Sequence, residues 1–280
     1  MIAQRRQLGA GPHAKRVVAD GVSLALRDEG RGPALVCLHS IAHGSRDFAG
    51  LAEALRDGFR VVSLDWPGHG DSDADTGPVD AQRFGELLAQ VLDGLGIERA
   101  VLLGNSIGGA AALHVASRMP ERVRGLVLID AGGLVPIGLL ARVFCRVMAA
   151  FFAAGARGAW WFPRAFAWYY GLILPEPPAR AQRERIIAAG SEMARSLELA
   201  WRSFGRPDAD LRTQATQLRC PALVCWSERD RVIPLALARP AIERIPGARL
   251  ALFPGGHSPF LECPERFMPE LTRFLDQLGQ

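Results

Sequence analysis

At 280 residues, with 49% apolar and 22% charged residues, the chain can bury a large core and lacks the composition of a disordered, collagen-like or coiled-coil protein. Its net charge of +4 and pI of about 9.1 rest almost wholly on arginine, Lys15 being the single lysine. The arginines are scattered and no nucleic-acid motif accompanies them, so they read as a solvated surface and not as a nucleic-acid footprint.

The N-terminus, MIAQRRQLGAGPHAKRVV, has no apolar signal-peptide core. Two antiparallel strands are expected at residues 16–19 and 22–27, turning at Asp20-Gly21. Residues 33–39 (PALVCLH) form a continuous apolar run, as in a strand buried on both faces of a parallel sheet. A helix near 46–56, a strand at 59–65, a helix at 81–95 and a strand at 100–104 follow. A helix at 106–118 stops before Pro120, and 123–130 is a strand again. This alternation argues for a mostly parallel, doubly wound α/β sheet.

From 132 to 218 the pattern becomes helical and aromatic. Alternation resumes with a strand at 221–227, a helix near 235–245, a strand at 249–253 and a last helix near 264–278. The expected organisation is one sheet domain, 1–131 plus 219–280, with a helical cap at 132–218. The cap enters past the carboxyl end of a strand, the edge where open α/β sheets bind ligands. Arg142, Arg146, Arg157 and Arg164 divide the most apolar stretch, 132–174, into runs short for a bilayer span. The five cysteines have neither metal-site nor redox spacing and read as reduced thiols. A cytoplasmic protein without metal or organic cofactor is expected.

Three segments carry chemistry. Gly104-Asn105-Ser106-Ile107-Gly108 matches G-x-S-x-G between a strand and a helix. A sharp turn there exposes the hydroxyl above the sheet, at a helix N-terminus whose dipole favours negative charge. Without that context Ser106 would fit a helix N-cap equally well. Serine needs a base, and His257 follows the last strand in a glycine-containing loop. The other histidines fit less well: His13 is in the N-terminal arm, His114 is mid-helix, His69 is in a turn, and His39 and His43 flank the first loop. The base needs a carboxylate, and Asp230 follows the 221–227 strand. Glu228 and Asp130 compete with it. Chain order is Ser106, Asp230, His257.

With Leu38-His39, the turn from Asp65 to Ser72 and the Gly256-His257 segment, these motifs resemble the α/β-hydrolase superfamily, in its branch with a helical cap (serine esterase or lipase-like). The resemblance runs from about Gly21 to the C-terminus and is weakest in the cap. It implies an oxyanion hole made by the backbone N–H groups of Ile41 and Ile107. It assigns the Asp65–Ser72 turn no catalytic part. One departure stands out: His39 is followed by Ser40, where the family has glycine.

In the cap, Trp160, Trp161 and Phe166, with His39 from the core, are the candidate substrate-binding residues. The expected partner is a small apolar molecule, and the expected function is hydrolysis of carboxylic esters with small-to-medium acyl groups through an acyl-serine. The alternatives are a carbon–carbon bond hydrolase of the meta-cleavage type and a non-enzymatic receptor on the same fold. Membrane contact by the cap is a lesser reading. The sequence leaves the oligomeric state open.

Overall fold

The computed structural model describes residues 14–279. The N-terminal reading and His13 lie outside the described residues. Eight strands form one sheet: β1 (Ala14–Ala19), β2 (Val22–Glu29), β3 (Ala34–Leu38), β4 (Arg60–Leu64), β5 (Ala100–Asn105), β6 (Val123–Ile129), β7 (Ala222–Ser227) and β8 (Arg249–Phe253). Their order is β1-β2-β4-β3-β5-β6-β7-β8. β1 and β2 pair antiparallel, as do β2 and β4. From β4 to β8 every pairing is parallel.

The parallel strands are central because their sequences let both faces be buried. Every side chain of β5 and β7 is buried, matching their unbroken apolar runs. The β1–β2 hairpin turns on Asp20 (φ 47°) and Gly21 (φ 78°), the paired left-handed angles of a type I′ turn.

The helices of the core are α1 (Ala49–Leu55), α2 (Ala81–Gly94) and α3 (Ile107–Arg118). The side chain of Asp80 accepts a hydrogen bond from Arg83 N–H (2.9 Å) and so starts α2 as an N-cap. From β3 the chain passes through α1 to β4 on one side, then returns across β3 to build β5 on the other. The carboxyl ends of β3 and β5 therefore flank the topological switch point, where doubly wound sheets open a crevice.

Between β6 and β7 the structure has helices only: α4 (Leu139–Ala156), α5 (Phe162–Ile173), α6 (Arg180–Phe204) and the short α7 (Arg212–Ala215). We call this stretch the cap. Its interior is built by aromatics pressing on glycines. A Cβ on Gly155 would lie 2.6 Å from the Phe162 ring, and one on Gly190 would lie 2.3 Å from the Phe166 ring. Phe162 and Phe166 stack on each other at 5.5 Å, and Phe166 meets Tyr170 at 4.9 Å. α4 is long and apolar enough to cross a membrane by length and composition alone, although Arg142 and Arg146 lie within it. In the fold one side of it, Cys145, Ala149 and Phe152, is buried in the cap.

After β7 come α8 (Leu235–Ile242), α9 (Pro259–Glu262) and α10 (Pro264–Gly279). The sequence pattern does not reveal α9, since a four-residue helix has too few positions to show a period. All five cysteines are buried and unpaired.

Candidate active site

Ser106 joins β5 to α3 with φ 56° and ψ −117°, a backbone conformation L-residues rarely adopt. Its neighbours hold it there. Ser106 N–H donates to Ile129 O (3.0 Å), and its carbonyl accepts from Ala110 N–H (3.0 Å) and Gly132 N–H (2.9 Å). The two motif glycines are required by close approach. A Cβ on Gly104 would stand 2.3 Å from Gly108 O, and one on Gly108 would stand 2.3 Å from Leu38 O. α3 thus starts pressed onto the ends of β3 and β5. Ile107 is its first residue, so the Ile107 N–H has no intrahelical acceptor.

His257 and Asp230 meet. Nδ1 of His257 lies 2.8 Å from Oδ2 of Asp230, and both residues are buried. The other carboxylate oxygen, Oδ1, accepts from Val232 N–H (2.7 Å) and Ile233 N–H (3.0 Å), which fixes the group's plane. Nε2 is the ring nitrogen that Asp230 does not engage. Glu228, the nearby competitor, is exposed. Burial disfavours a charged His257 ring, but the charge and hydrogen bond of Asp230, with Asp130 and Glu262 beyond, outweigh it and raise its pKa to about 9.

Asp130, the second competitor, is close by. Asp130, Asp230 and His257 each place a polar side-chain atom within 4.8 Å of the others. Asp130 is fully buried with φ 42°, and its oxygens accept from Ser227 N–H (2.7 Å) and Ser227 Oγ (2.8 Å). Burial and then the Asp230 charge push its pKa well above the usual carboxylate range, towards the neutral acid. Three acidic and imidazole groups could in principle hold a cation, but both oxygens of Asp130 are already engaged by Ser227 and the His257 Nδ1 by Asp230.

Two residues tie the segments together, and both escaped the sequence reading. Asn105 donates to His257 O (2.9 Å) and accepts from Ser258 Oγ (2.9 Å), linking the residue before Ser106 to the histidine loop. Glu262, in α9, accepts from three successive backbone N–H groups with Oε2: Gly256 (2.9 Å), His257 (3.0 Å) and Ser258 (3.1 Å). A glutamate three residues after Pro259 with no partner in its own helix was the only available signal.

The loop after β3 is pinned by two buried histidines. Trp66 N–H donates to His39 Nε2 (2.9 Å), so His39 Nδ1–H faces Ser40 O (2.6 Å). Ala42 N–H donates to His69 Nε2 (3.0 Å), and His69 Nδ1–H faces Pro67 O (2.9 Å). Burial keeps both rings neutral, lowering His39 to about 4 and His69 to about 3. His39 was expected against substrate; both its ring nitrogens instead serve the backbone. The left-handed angle in this loop falls on Ala42 (φ 64°), not on Ser40, so serine is accommodated without strain.

The cap reaches this loop through α5. Tyr170 Oη points at Ile41 O across 3.5 Å, and a Cβ on Gly256 would clash with Ile173 O at 2.1 Å. Arg185 of α6 pairs with the buried Asp47 (3.0 Å), which in turn holds His43 (2.5 Å). The three aromatics expected to line the substrate pocket divide differently. Trp160 sits in the α4–α5 turn and is 84% exposed. Trp161 is part-exposed and packs on Phe151 (5.8 Å). Phe166 is buried inside the cap. Two further cap side chains reach towards the site: Tyr170, at Ile41 O, and Tyr169, near enough to Asp230 for that charge to add to burial in raising its phenol pKa.

Residues 33–264 fit the family model described as "alpha/beta hydrolase fold". The chain belongs to the α/β-hydrolase fold family. It is 31% identical, over 88% of its length and 97% of the relative's, to a pimeloyl-[acyl-carrier protein] methyl ester esterase of Nitrosomonas europaea. Among solved structures it resembles a hydrolase of Pseudomonas aeruginosa PA01 (TM-score 0.79, 28% identity, covering 95% of this chain and 99% of that one). It also resembles a thermophilic esterase of Thermogutta terrifontis (TM-score 0.81, 25% identity, 95% and 100% covered). This chain is an enzyme, a hydrolase.

Proposed function

We propose that this hydrolase cleaves carboxylic esters with apolar acyl groups through an acyl-serine intermediate on Ser106. The observation that carries the reading is the 2.8 Å His257–Asp230 contact beside the strained Ser106 turn. His257 Nε2 takes the Ser106 proton as Oγ bonds to the ester carbonyl carbon. The oxyanion rests on the N–H groups of Ile107 and Ile41. The tetrahedral adduct collapses, the C–O bond to the alcohol breaks, and His257 returns the proton to the leaving alkoxide. Water, deprotonated by His257, then releases the acid and restores Ser106. Asp230 keeps the ring in the productive tautomer and stabilises its charge.

The relative in N. europaea is named for cleaving a methyl ester, which favours an ester over a carbon–carbon bond. Ser40-Ile41-Ala42 also lacks the glycine-rich segment expected of carbon–carbon hydrolases after His39. With Trp160 and Phe166 turned elsewhere, Tyr169, Tyr170 and Ile41 are the side chains to meet the acyl group. The test is labelling by a fluorophosphonate followed by mass spectrometry. It is paired with a screen of esters, thioesters, lactones and ring-cleavage diketones using Ser106→Ala as control. Labelling at Ser106 with ester turnover is expected. Labelling elsewhere, full activity in Ser106→Ala, or turnover of diketones alone overturns the reading.

A further inference from the structure

The cap has two unlike sides. Most arginines of α6 and the turn after it are matched by carboxylates: Arg180 by Glu184, Arg185 by Asp47, Arg195 and Arg202 by Glu198, Arg206 by Asp208, while Arg183 donates to Leu174 O. Residues 131–175 contain four arginines and neither Asp nor Glu. Those four, Arg142, Arg146, Arg157 and Arg164, are all exposed, and none makes an ion pair among the described residues.

The same segment holds eight of the twelve large apolar side chains exposed among the described residues. On α4 they fall in register. Leu139, Leu140, Val143 and Val147 lie along one side, 77%, 86%, 47% and 60% exposed, opposite the buried Cys145, Ala149 and Phe152. Arg142 and Arg146, one turn apart, flank that stripe. They also line a groove of about 400 Å³ against Trp201, Arg202 and Arg206. Trp160 and Trp168, 84% and 70% exposed, stand on the next turn and helix. Apolar residues backed by tryptophan and edged by uncompensated arginine are the composition of a helix that lies in a lipid interface.

We propose that the α4 side of the cap docks on an anionic phospholipid surface. Leu139, Leu140, Val143 and Val147 enter the acyl boundary, and Arg142 and Arg146 meet lipid phosphates. The helix lies in the plane of the surface: its Cys145–Phe152 side is committed to the cap, so it cannot expose all its faces to hydrocarbon. A second copy of the chain fits the face badly. A twofold contact would set this side against itself, arginine against arginine with no carboxylate between. An acidic soluble protein would answer the arginines but leave the leucine–valine stripe unused.

The experiment is co-sedimentation of the full chain with phosphatidylcholine vesicles containing none or about a third phosphatidylglycerol. It compares Arg142→Gln/Arg146→Gln and Leu140→Ser/Val147→Ser with the unaltered protein. Melting temperature and turnover of a water-soluble ester check that each pair folds, since both alter only exposed positions. The expected result is binding at least tenfold stronger to anionic vesicles, declining with salt and falling at least tenfold in each variant pair. Absence of binding to anionic vesicles at low salt overturns the proposal. So does loss in the arginine pair alone, which would show that the leucine–valine stripe does not enter the lipid. Concentration-dependent dimerisation abolished by Leu140→Ser/Val147→Ser would assign it to a second copy and overturn it equally.

Discussion

The carboxyl edge of the sheet and the cap stand face to face, yet they are held by different physics. At the sheet edge positions are fixed by backbone groups. Glu262 gathers three N–H groups of the histidine loop, Asp230 takes two, and His39 and His69 each take one. In the cap they are fixed by volume, with Phe162 and Phe166 seated on Gly155 and Gly190. Directional bonds hold a reacting atom to a fraction of an ångström. Packing holds a shape and leaves its outer side free to meet something else. Substitutions of the reacting side chains at the edge should therefore fail in rate, and substitutions of the packed aromatics inside the cap in stability.

The largest difference is expected from Ser106→Ala, which should reduce kcat by about 10⁶ with the melting temperature kept or raised, since the strained turn loses no bond it needs. Asp230→Asn should cost about 10⁴ in kcat. Asp130→Asn should stay within about threefold, because Asp130 is already held towards its neutral form and touches Ser227 instead of His257. Equal losses at the two aspartates, read by steady-state kinetics, would show that the pair acts as one acid. In the cap, Phe166→Ala should cost about 3–5 kcal/mol of stability, measured by denaturant unfolding.

The second expectation concerns pH. The His257 pKa is raised to about 9. The neutral ring is the base, so kcat/KM should climb as pH rises towards about 9 and level above it. Stability runs the other way. A raised histidine pKa contributes stability that is fully present below the unfolded value of about 6.5 and is lost as pH passes through about 9. Activity and melting temperature should therefore diverge between these limits. A rate profile with its midpoint at or below 6.5 would mean that Asp230 does not hold the charged ring as drawn. Removing the carboxylate of Glu262 sharpens the point: Glu262→Gln loses a charged acceptor shared by three N–H groups. It should lower stability by about 1–3 kcal/mol, with rescue by Glu262→Asp incomplete because the shorter chain cannot span the loop.

What could be read from the sequence follows the same division. Strand positions, the elbow, and the Ser106, Asp230 and His257 segments were legible because buried parallel strands and close glycine contacts leave direct marks in residue order. β8 was expected at 249–253 and spans those residues. The roles of Asn105, Glu262 and His69 were not legible, because apart from the Ser258 hydroxyl on Asn105 their partners are backbone groups that no side-chain pattern records. The direction of the cap aromatics was not legible either. A tryptophan and a phenylalanine six residues apart contribute equally to composition, yet Trp160 faces solvent and Phe166 is buried. Only the turn between α4 and α5 decides which points where.

The smallest expected effect tests that last point. Each methylene of an acyl chain buried in an apolar site is worth roughly 0.8 kcal/mol. Expressed in the transition state, this multiplies kcat/KM about fourfold per carbon until the space is full. Across p-nitrophenyl esters of increasing length, Trp160→Ala should leave the slope unchanged, since Trp160 stands outside the cap interior. Tyr170→Phe should change it by less than about twofold, because its ring remains and the 3.5 Å approach to Ile41 O is too long to be a strong bond. Tyr170→Ala should flatten the series, as the ring beside Ile41 is then gone. A slope that survives Tyr170→Ala and collapses in Trp160→Ala would place the acyl group under the outer rim of the cap, and the assignment of its two sides would have to be exchanged.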